Sequence, residues 1–252
     1  MVKVILSGCS GRMGQVITGL VKETPDMEIA AGIDITAAEG CLYPVFSSPA
    51  ECDVQADVII DFSSPAVFDA LLDYSVSHKI PAVICTTGLS DGQIARLEKE
   101  SANVALLRSA NMSLGINLLM KLLKEASAVL SASGFDVEIV EKHHNRKKDA
   151  PSGTAIALAE SVNEGAGGIY EYIYDRSGRY EPRSAKELGI SAVRGGTIVG
   201  EHEVLFAGTD EVITFRHTAY SRAIFAKGAI AAAAYLSGKG PGLYSMSDVI
   251  EG

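Results

Sequence analysis

The first 110 residues carry five apolar runs that show no polar alternation: "VKVILSG" (2–8), "MEIAAGID" (27–34), "ADVIIDFS" (56–63), "IPAVICTTG" (80–88) and "ANVALLRSAN" (102–111). A strand with one wet face alternates; a strand that does not alternate is covered on both sides. Helical patterns separate the runs. "GQVITGLVKET" (14–24) has helical spacing, and "SPAVFDALLDYSVSHK" (64–79) opens with Ser64 as a cap and Pro65 at the first helical position. Ser90 and Gln93 form a capping box for the helix after the fourth run. Strands and helices in this order build a parallel sheet with helices on both faces.

The pattern changes after Asn111. A long apolar-striped helix is expected over 113–132, then the strand "FDVEIVEKHH", a helix from about Ser152, and three strand-like runs ending in "DEVITFRHTAY" (210–220). Glycine-rich turns join those three, which points to an antiparallel or mixed sheet. The segment 163–182 is expected to be an exposed loop. The fold class is therefore α/β. A Rossmann-type parallel domain would comprise 1–112 and 222–252, and an α+β domain with a mixed sheet would comprise 113–221.

Composition removes several classes. The net charge is -9 and the pI is about 5.1, whereas binding nucleic acid requires a basic face, so no nucleic-acid partner is expected. The apolar run "GAIAAAAYL" (228–236) is too short to span a bilayer and reads as a buried helix, so no membrane partner is expected. Between Lys3 and the cleavage site of the lipobox-like "LSGC" (6–9), only Val4, Ile5 and Leu6 form an apolar stretch, too few for an export signal. Cys9, Cys41, Cys52 and Cys85 form no CxxC pair and no metal-like spacing with histidine. They read as reduced thiols of a cytoplasmic protein with no metal site.

"GCSGRMG" places Gly8, Gly11 and Gly14 between the first strand and the first helix. Glycines there permit a tight turn and let a pyrophosphate approach the helix N-terminus. A tight turn alone would need the same residues. Asp34, twenty residues after Gly14 at the end of the second strand, favours the dinucleotide, because an acid there can accept the adenosine ribose hydroxyls. Arg12 can reach a phosphate, and Met13 is expected mainly to pack. Two further loops follow later strands on the same sheet edge. The expected cofactor-binding set is Gly8, Cys9, Ser10, Gly11, Arg12, Met13, Gly14, Asp34, Cys85, Thr86, Thr87, Ser109, Ala110, Asn111 and Met112. Asp34 favours NADH modestly, while Arg12 leaves NADPH usable.

"EKHHNRKKDAPSGTA" (141–155) concentrates cations and two histidines directly before a helix start. Pro151 and Ser152 lie where that helix would begin, so the amides of Gly153 and Thr154 would be free donors for an anion. Lys142, Arg146 and Lys148 are expected to be solvated charges. His78, His202 and His217 are expected to be structural.

The stretch closely resembles the HHxxK and DAPSGTA signature of the dihydrodipicolinate reductase family. The resemblance extends over nearly the whole chain, through "IDFSSP" (60–65), "TTG" (86–88), "SANMSLGIN" (109–117), "VRGGTIVGEH" (193–202) and "GLYSMSDVI" (242–250). It implies NAD(P)H-dependent reduction of 4-hydroxy-tetrahydrodipicolinate, a cyclic dicarboxylate, in lysine and diaminopimelate biosynthesis. It implies His143 as proton donor or acceptor and Lys147 as a second proton donor, with His144, Gly153 and Thr154 holding the substrate. It also implies a homotetramer formed through the second domain's sheet. Two other classes remain open at this point: a related two-domain dehydrogenase of an amino acid or semialdehyde, and a non-catalytic dinucleotide-sensing protein.

Overall fold

The computed structural model describes every residue except Ala38, Glu39 and Ala110. The chain divides into two compact units, one made of Met1–Ser113 with Ala223–Gly252 and the other of Leu114–Arg222.

The first unit is an all-parallel sheet. Its strands are β1 (Val2–Ser7), β2 (Met27–Ile33), β3 (Val45–Phe46), β4 (Val58–Asp61), β5 (Ala82–Ile84), β6 (Ala105–Arg108) and β12 (Gly242–Tyr244). Their order is β12-β6-β5-β4-β1-β2-β3. The chain leaves β1 towards β2 on one side and takes up β4 on the other, so the order reverses between β1 and β4. That switch point opens a crevice at the carboxyl ends of the strands. The lack of alternation in the strands has its expected cause, since each sheet face has its own core. On one face Val4, Leu6, Val58, Ile60, Val83 and Leu107 pack on residues of α1 (Arg12–Val21) and α6 (Ala223–Leu236). On the other, Ile5, Ile59, Ala82, Ile84 and Leu106 meet residues of α2 (Pro65–His78) and α3 (Asp91–Glu100).

Helix starts follow the sequence signals. Ser90 and Gln93 complete the capping box of α3. Ser64 occupies the cap of α2 in extended conformation but makes no side-chain cap bond, and Pro65 begins the helix. At the end of the chain, Ser245 and Asp248 form a further capping box for α7 (Met246–Glu251). Among the described residues no helix is long and apolar enough to cross a membrane.

The second unit holds α4 (Leu114–Leu130), β7 (Asp136–His143), α5 (Gly153–Gly165), β8 (Glu171–Ile173), β9 (Glu187–Arg194), β10 (Gly200–Ala207) and β11 (Val212–Ala219). The sheet order is β11-β10-β7-β9-β8. It is mixed: β10 is antiparallel to β7 and β11, while β9 is parallel to β7 and β8. β7 and β10 alternate between buried and half-buried residues. Val137, Ile139, Val204 and Phe206 face Leu119 and Leu123 of α4 and Leu158 and Val162 of α5.

One expectation is corrected here. The segment 163–182 is not wholly an exposed loop: α5 runs to Gly165, Tyr170 is buried, and β8 adds an edge strand. Asn163 makes this possible, because its side-chain amide donates to the Tyr170 carbonyl at 3.1 Å and its oxygen accepts from the Tyr170 amide at 2.8 Å.

Candidate active site

At the switch point the glycine loop rests on bare backbone. Gly8 has φ +77°, and a Cβ there would lie 2.6 Å from the Phe62 carbonyl oxygen. A Cβ on Gly14 would lie 2.5 Å from the Cys9 carbonyl oxygen and closer still to that of Gly8. Gly11 caps α1 in extended conformation with no side-chain bond to the helix amides, and no acid occupies the first turn. The first amides of α1 are thus left for an anion, and the positive end of the helix dipole favours one. The glycine cradle and the acid-free helix start fit a dinucleotide pyrophosphate.

Asp34 follows β2 and is tied to this loop. One carboxylate oxygen accepts from the Ser10 amide at 3.0 Å, and the other accepts from the Ile35 amide at 2.8 Å. Cys9 and Met112 are buried in the core, so contacts from them to a ligand would come through their backbone. Burial raises the Cys9 thiol above its ordinary value. Thr86 is held by Asp61, a fully buried acid ending β4. Asp61 accepts from the Thr86 hydroxyl at 2.7 Å and from the Ser63 amide at 3.0 Å, so one carboxylate fixes two loops of the edge. Burial pushes the Cys85 thiol well above its ordinary range. In the loop after β6, Asn111 accepts from the Ser113 amide at 2.8 Å. Gly228 of α6 lets this loop pass, since a Cβ there would collide with the Met112 carbonyl. Ala110 lies outside the described residues. Arg12 and Thr87 are exposed.

In the second unit the site is built around the end of β7. His143 is the last paired residue, opposite Arg194 of β9. Successive strand residues point to opposite faces, so Glu141 and His143 point inward and Lys142 points outward. Lys142 is not merely solvated, as it pairs with Glu201 at 3.4 Å and Glu203 at 3.2 Å. His144 lies past the strand end, where alternation no longer fixes its direction, and is half-buried. The His143 ring lies above Gly200, where a Cβ would approach Nε2 to 3.1 Å.

Glu141 is wholly buried. It accepts from His143 Nδ1 at 2.6 Å, from both terminal nitrogens of Arg194 at 2.7 Å, and from the Ser152 amide at 2.9 Å. Burial alone would raise this carboxyl. The bonds from Arg194, His143 and Ser152 outweigh burial and hold it below its ordinary value. Ser152 caps α5, its hydroxyl oxygen accepting from the Ala155 amide at 3.1 Å. The same hydroxyl pairs with His202 Nε2 at 3.0 Å, and the His202 ring meets that of His143 edge-on at 5.1 Å. Burial, with the nearby His143, pushes His202 down to about 4, so it is neutral at ordinary pH.

Lys147 pairs with Asp149 at 2.9 Å. The Lys147 ammonium, with smaller help from the Asp149 and Gly153 amides, holds the Asp149 carboxyl below its ordinary value. Asp149 therefore lies beside the start of α5, and Thr154 has a partner of its own. The chain's own acid thus stands next to a helix start that suits a visiting carboxylate. Arg146 and Lys148 are exposed.

The structure thus brings His143, Lys147, Gly153 and Thr154 into one region around the end of β7 and the start of α5. It adds Glu141, Ser152, Arg194 and His202, which the sequence reading had left without a role in the site. For Glu141 a signal existed: an acid two residues before a histidine on one strand shares its face.

The chain resembles known proteins along its whole length. The family described as "Dihydrodipicolinate reductase, N-terminus" matches residues 2–112, and "Dihydrodipicolinate reductase, C-terminus" matches residues 115–250. The chain is 49% identical over 251 residues to the 4-hydroxy-tetrahydrodipicolinate reductase of Caldanaerobacter subterraneus subsp. tengcongensis, covering 100% of this chain and 99% of the relative. The enzyme of the same description from Clostridium novyi is 49% identical with the same coverage. Among solved structures, a dipicolinate-bound dihydrodipicolinate reductase from Paenisporosarcina sp. TG-14 matches with a TM-score of 0.82 and 26% identity over 97% of both chains. With both halves matched and full-length relatives at this identity, the chain belongs to the dihydrodipicolinate reductase family.

Proposed function

We propose that the protein reduces 4-hydroxy-tetrahydrodipicolinate to tetrahydrodipicolinate at the expense of NAD(P)H, in the route to diaminopimelate and lysine. One NAD(P)H and one proton are consumed, and NAD(P)+ and water are released. The nicotinamide, when bound, supplies the hydride. Gly8, Ser10, Gly11 and Gly14 cradle the pyrophosphate at the start of α1. Asp34 faces the adenosine ribose, and the loops carrying Thr86, Thr87, Ser109, Asn111 and Met112 line the remainder of the cofactor edge.

The observation that carries the substrate assignment is the position of Asp149. Its carboxylate pairs with Lys147, assigned here as a proton donor, and lies close enough to the Gly153 amide, assigned here to a substrate carboxylate, for that amide to help keep it ionised. Charge-assisted bonds of this kind are the strong ones. A substrate carboxylate displaces Asp149 and takes the Gly153 amide, with Thr154 and His144 completing its contacts. Displacement frees the Lys147 ammonium to donate a proton. His143 supplies or receives a proton through Nε2, since Nδ1 is committed to Glu141. Together they serve the departure of the 4-hydroxyl as water and stabilise charge developing on the ring.

Asp34 supports a modest preference for NADH. Each carboxylate oxygen accepts one amide and keeps a lone pair for a ribose hydroxyl, whereas a 2′-phosphate would meet the negative charge. Exposed Arg12 moderates the preference. The half-buried face of the second sheet, bearing Val140, Glu201, Glu203 and Leu205, is the surface through which a homotetramer would form. The free cysteines suit the cytoplasm.

The test is consumption of NADH and NADPH by the purified protein with freshly prepared substrate. Turnover with both, somewhat faster with NADH at limiting cofactor, is expected. Binding of NADH without turnover would overturn the reading.

A further inference from the structure

We propose that Glu141 is a positioning residue that holds His143 in one tautomer and one orientation, leaving Nε2 as the only ring nitrogen that exchanges a proton with the substrate. The inference rests on His143 being an acid of the reaction proposed above.

An ionised carboxylate only accepts hydrogen bonds. Glu141 lies 2.6 Å from Nδ1 of His143, so Nδ1 must carry the hydrogen in both charge states of the ring. Neutral imidazole has one N–H, and here it is committed. The remaining contacts to Glu141 all come from donors that cannot act as acceptors: the Arg194 guanidinium at 2.7 Å twice and the Ser152 amide at 2.9 Å. They keep Glu141 ionised and stop it from taking the proton itself. When doubly protonated His143 acts as an acid, the Nε2 hydrogen leaves as a proton for the substrate. The N–H electron pair stays on Nε2, and the ring becomes the neutral Nδ1–H form, still bound to Glu141.

Among the described residues, the groups that the surrounding elements bring near the ring have other partners or carry no side chain. From β10, His202 presents a ring edge at 5.1 Å and is itself committed to Ser152. Below the ring, Gly200 offers no side chain. From the following loop, Lys147 is paired with Asp149. His217, opposite His202 in the β10–β11 register, lies one strand further away. Arg194 also donates to the Asp149 carbonyl at 2.7 Å, so the guanidinium that holds Glu141 is fixed at both ends.

The experiment combines kinetics with 15N spectra of the histidine rings, the His143 signals being identified by their loss in His143→Ala. In the native protein, neutral His143 should be the Nδ1–H tautomer. In Glu141→Gln, one amide oxygen cannot satisfy Arg194, Ser152 and His143 together. The NH2 group turns to Nδ1, and the Nε2–H tautomer appears. Turnover should then fall by about 10- to 100-fold, the range for lost carboxylate–histidine partners, while the substrate KM changes by less than about threefold. Glu141→Asp, which restores a carboxylate, should recover part of the loss. In a His143→Ala background, Glu141→Gln should cost less than about twofold more, because residues acting as a unit are not additive. Full multiplication of the two losses would make Glu141 a merely structural residue and overturn the proposal. An Nε2–H tautomer in the native protein would also overturn it, and that measurement requires no variant to fold. If His143→Ala keeps native turnover, the assignment of His143 as the acid has failed, and the native spectrum still decides whether Glu141 sets the tautomer.

Discussion

Two helices of this protein begin at the places assigned above to anions, and their starts are built in opposite ways. α1 begins at Gly11 with no side-chain cap and no acid in its first turn. Its donors are backbone amides, and its precision comes from side chains that are absent at Gly8, Gly11 and Gly14. α5 begins at Ser152, whose hydroxyl caps the helix, and its surroundings are crowded with titratable groups: Glu141, His143, Lys147, Asp149 and His202. A backbone site of the first kind holds an anion whose chemistry is over, such as a pyrophosphate. A side-chain site of the second kind can also move protons. The contrast teaches that a helix dipole gives only attraction, and the neighbouring groups decide whether binding or chemistry follows.

The contrast can be broken most severely at Gly14. A methyl group there collides with two carbonyls of its own loop, with no flexible side chain to yield. Gly14→Ala should abolish measurable cofactor binding and cost roughly 1–3 kcal/mol of stability, the usual range for overpacking. Gly11→Ala, with its nearest contact at 3.2 Å, should do much less. Equal losses in the two variants, by calorimetry with NADH, would refute the backbone account of α1.

At α5 the corresponding change is chemical. Lys147→Ala should lower turnover by about 10²- to 10⁴-fold, as for loss of a positioned acid. Folded yield and melting temperature should hardly move, because the ion pair that Lys147 makes among the described residues is with the mostly exposed Asp149. Near-native turnover would remove Lys147 from the mechanism.

The two sites should also separate by acid. His202 falls from 6.5 to about 4 on folding. Between those values the unfolded chain binds a proton that the native fold refuses, so stability is intact above about pH 6.5 and is lost progressively down to about pH 4. At 1.36 kcal/mol per unit the loss is on the order of 3 kcal/mol. Glu141 acts in the same direction at lower pH: its carboxyl is depressed, so its contribution is present above the ordinary value of 4.5 and lost as pH falls through the folded value. Denaturant melts from pH 7 to 4 should show this slope, and His202→Gln should flatten it. An unchanged slope would place the acid sensitivity elsewhere.

The smallest effect concerns Asp149. If it competes with the substrate carboxylate, Asp149→Asn should lower KM by about two- to fivefold, within the ~0–1 kcal/mol typical of exposed pairs. A rise in KM would mean that Asp149 orders the loop and does not compete.

Much of this could be read from the sequence. The parallel strands were legible because both their faces are buried, which erases alternation. β3 and β8 were not, since two or three residues carry no period. The cluster assigned above to proton transfer was legible as a block because its members are neighbours in the chain. The link from Glu141 to Arg194 was not, because strand register creates it: β9 lies beside β7 in parallel, setting Arg194 opposite His143 across fifty residues of chain. Asp149 was visible in the sequence, but that it would turn back onto the helix following it depends on the loop's path.

The place of β12 has a consequence for how the protein is made. β6 ends at Arg108, and the strand that covers its outer side begins at Gly242. While residues 109–241 leave the ribosome, the edge of β6 has no partner. At 5–20 residues per second that interval lasts roughly 7 to 27 seconds. An unpaired, apolar strand edge invites pairing with other chains. For that time the nascent protein carries a sticky edge, and it loses it only once Gly242–Tyr244 has been made and has paired.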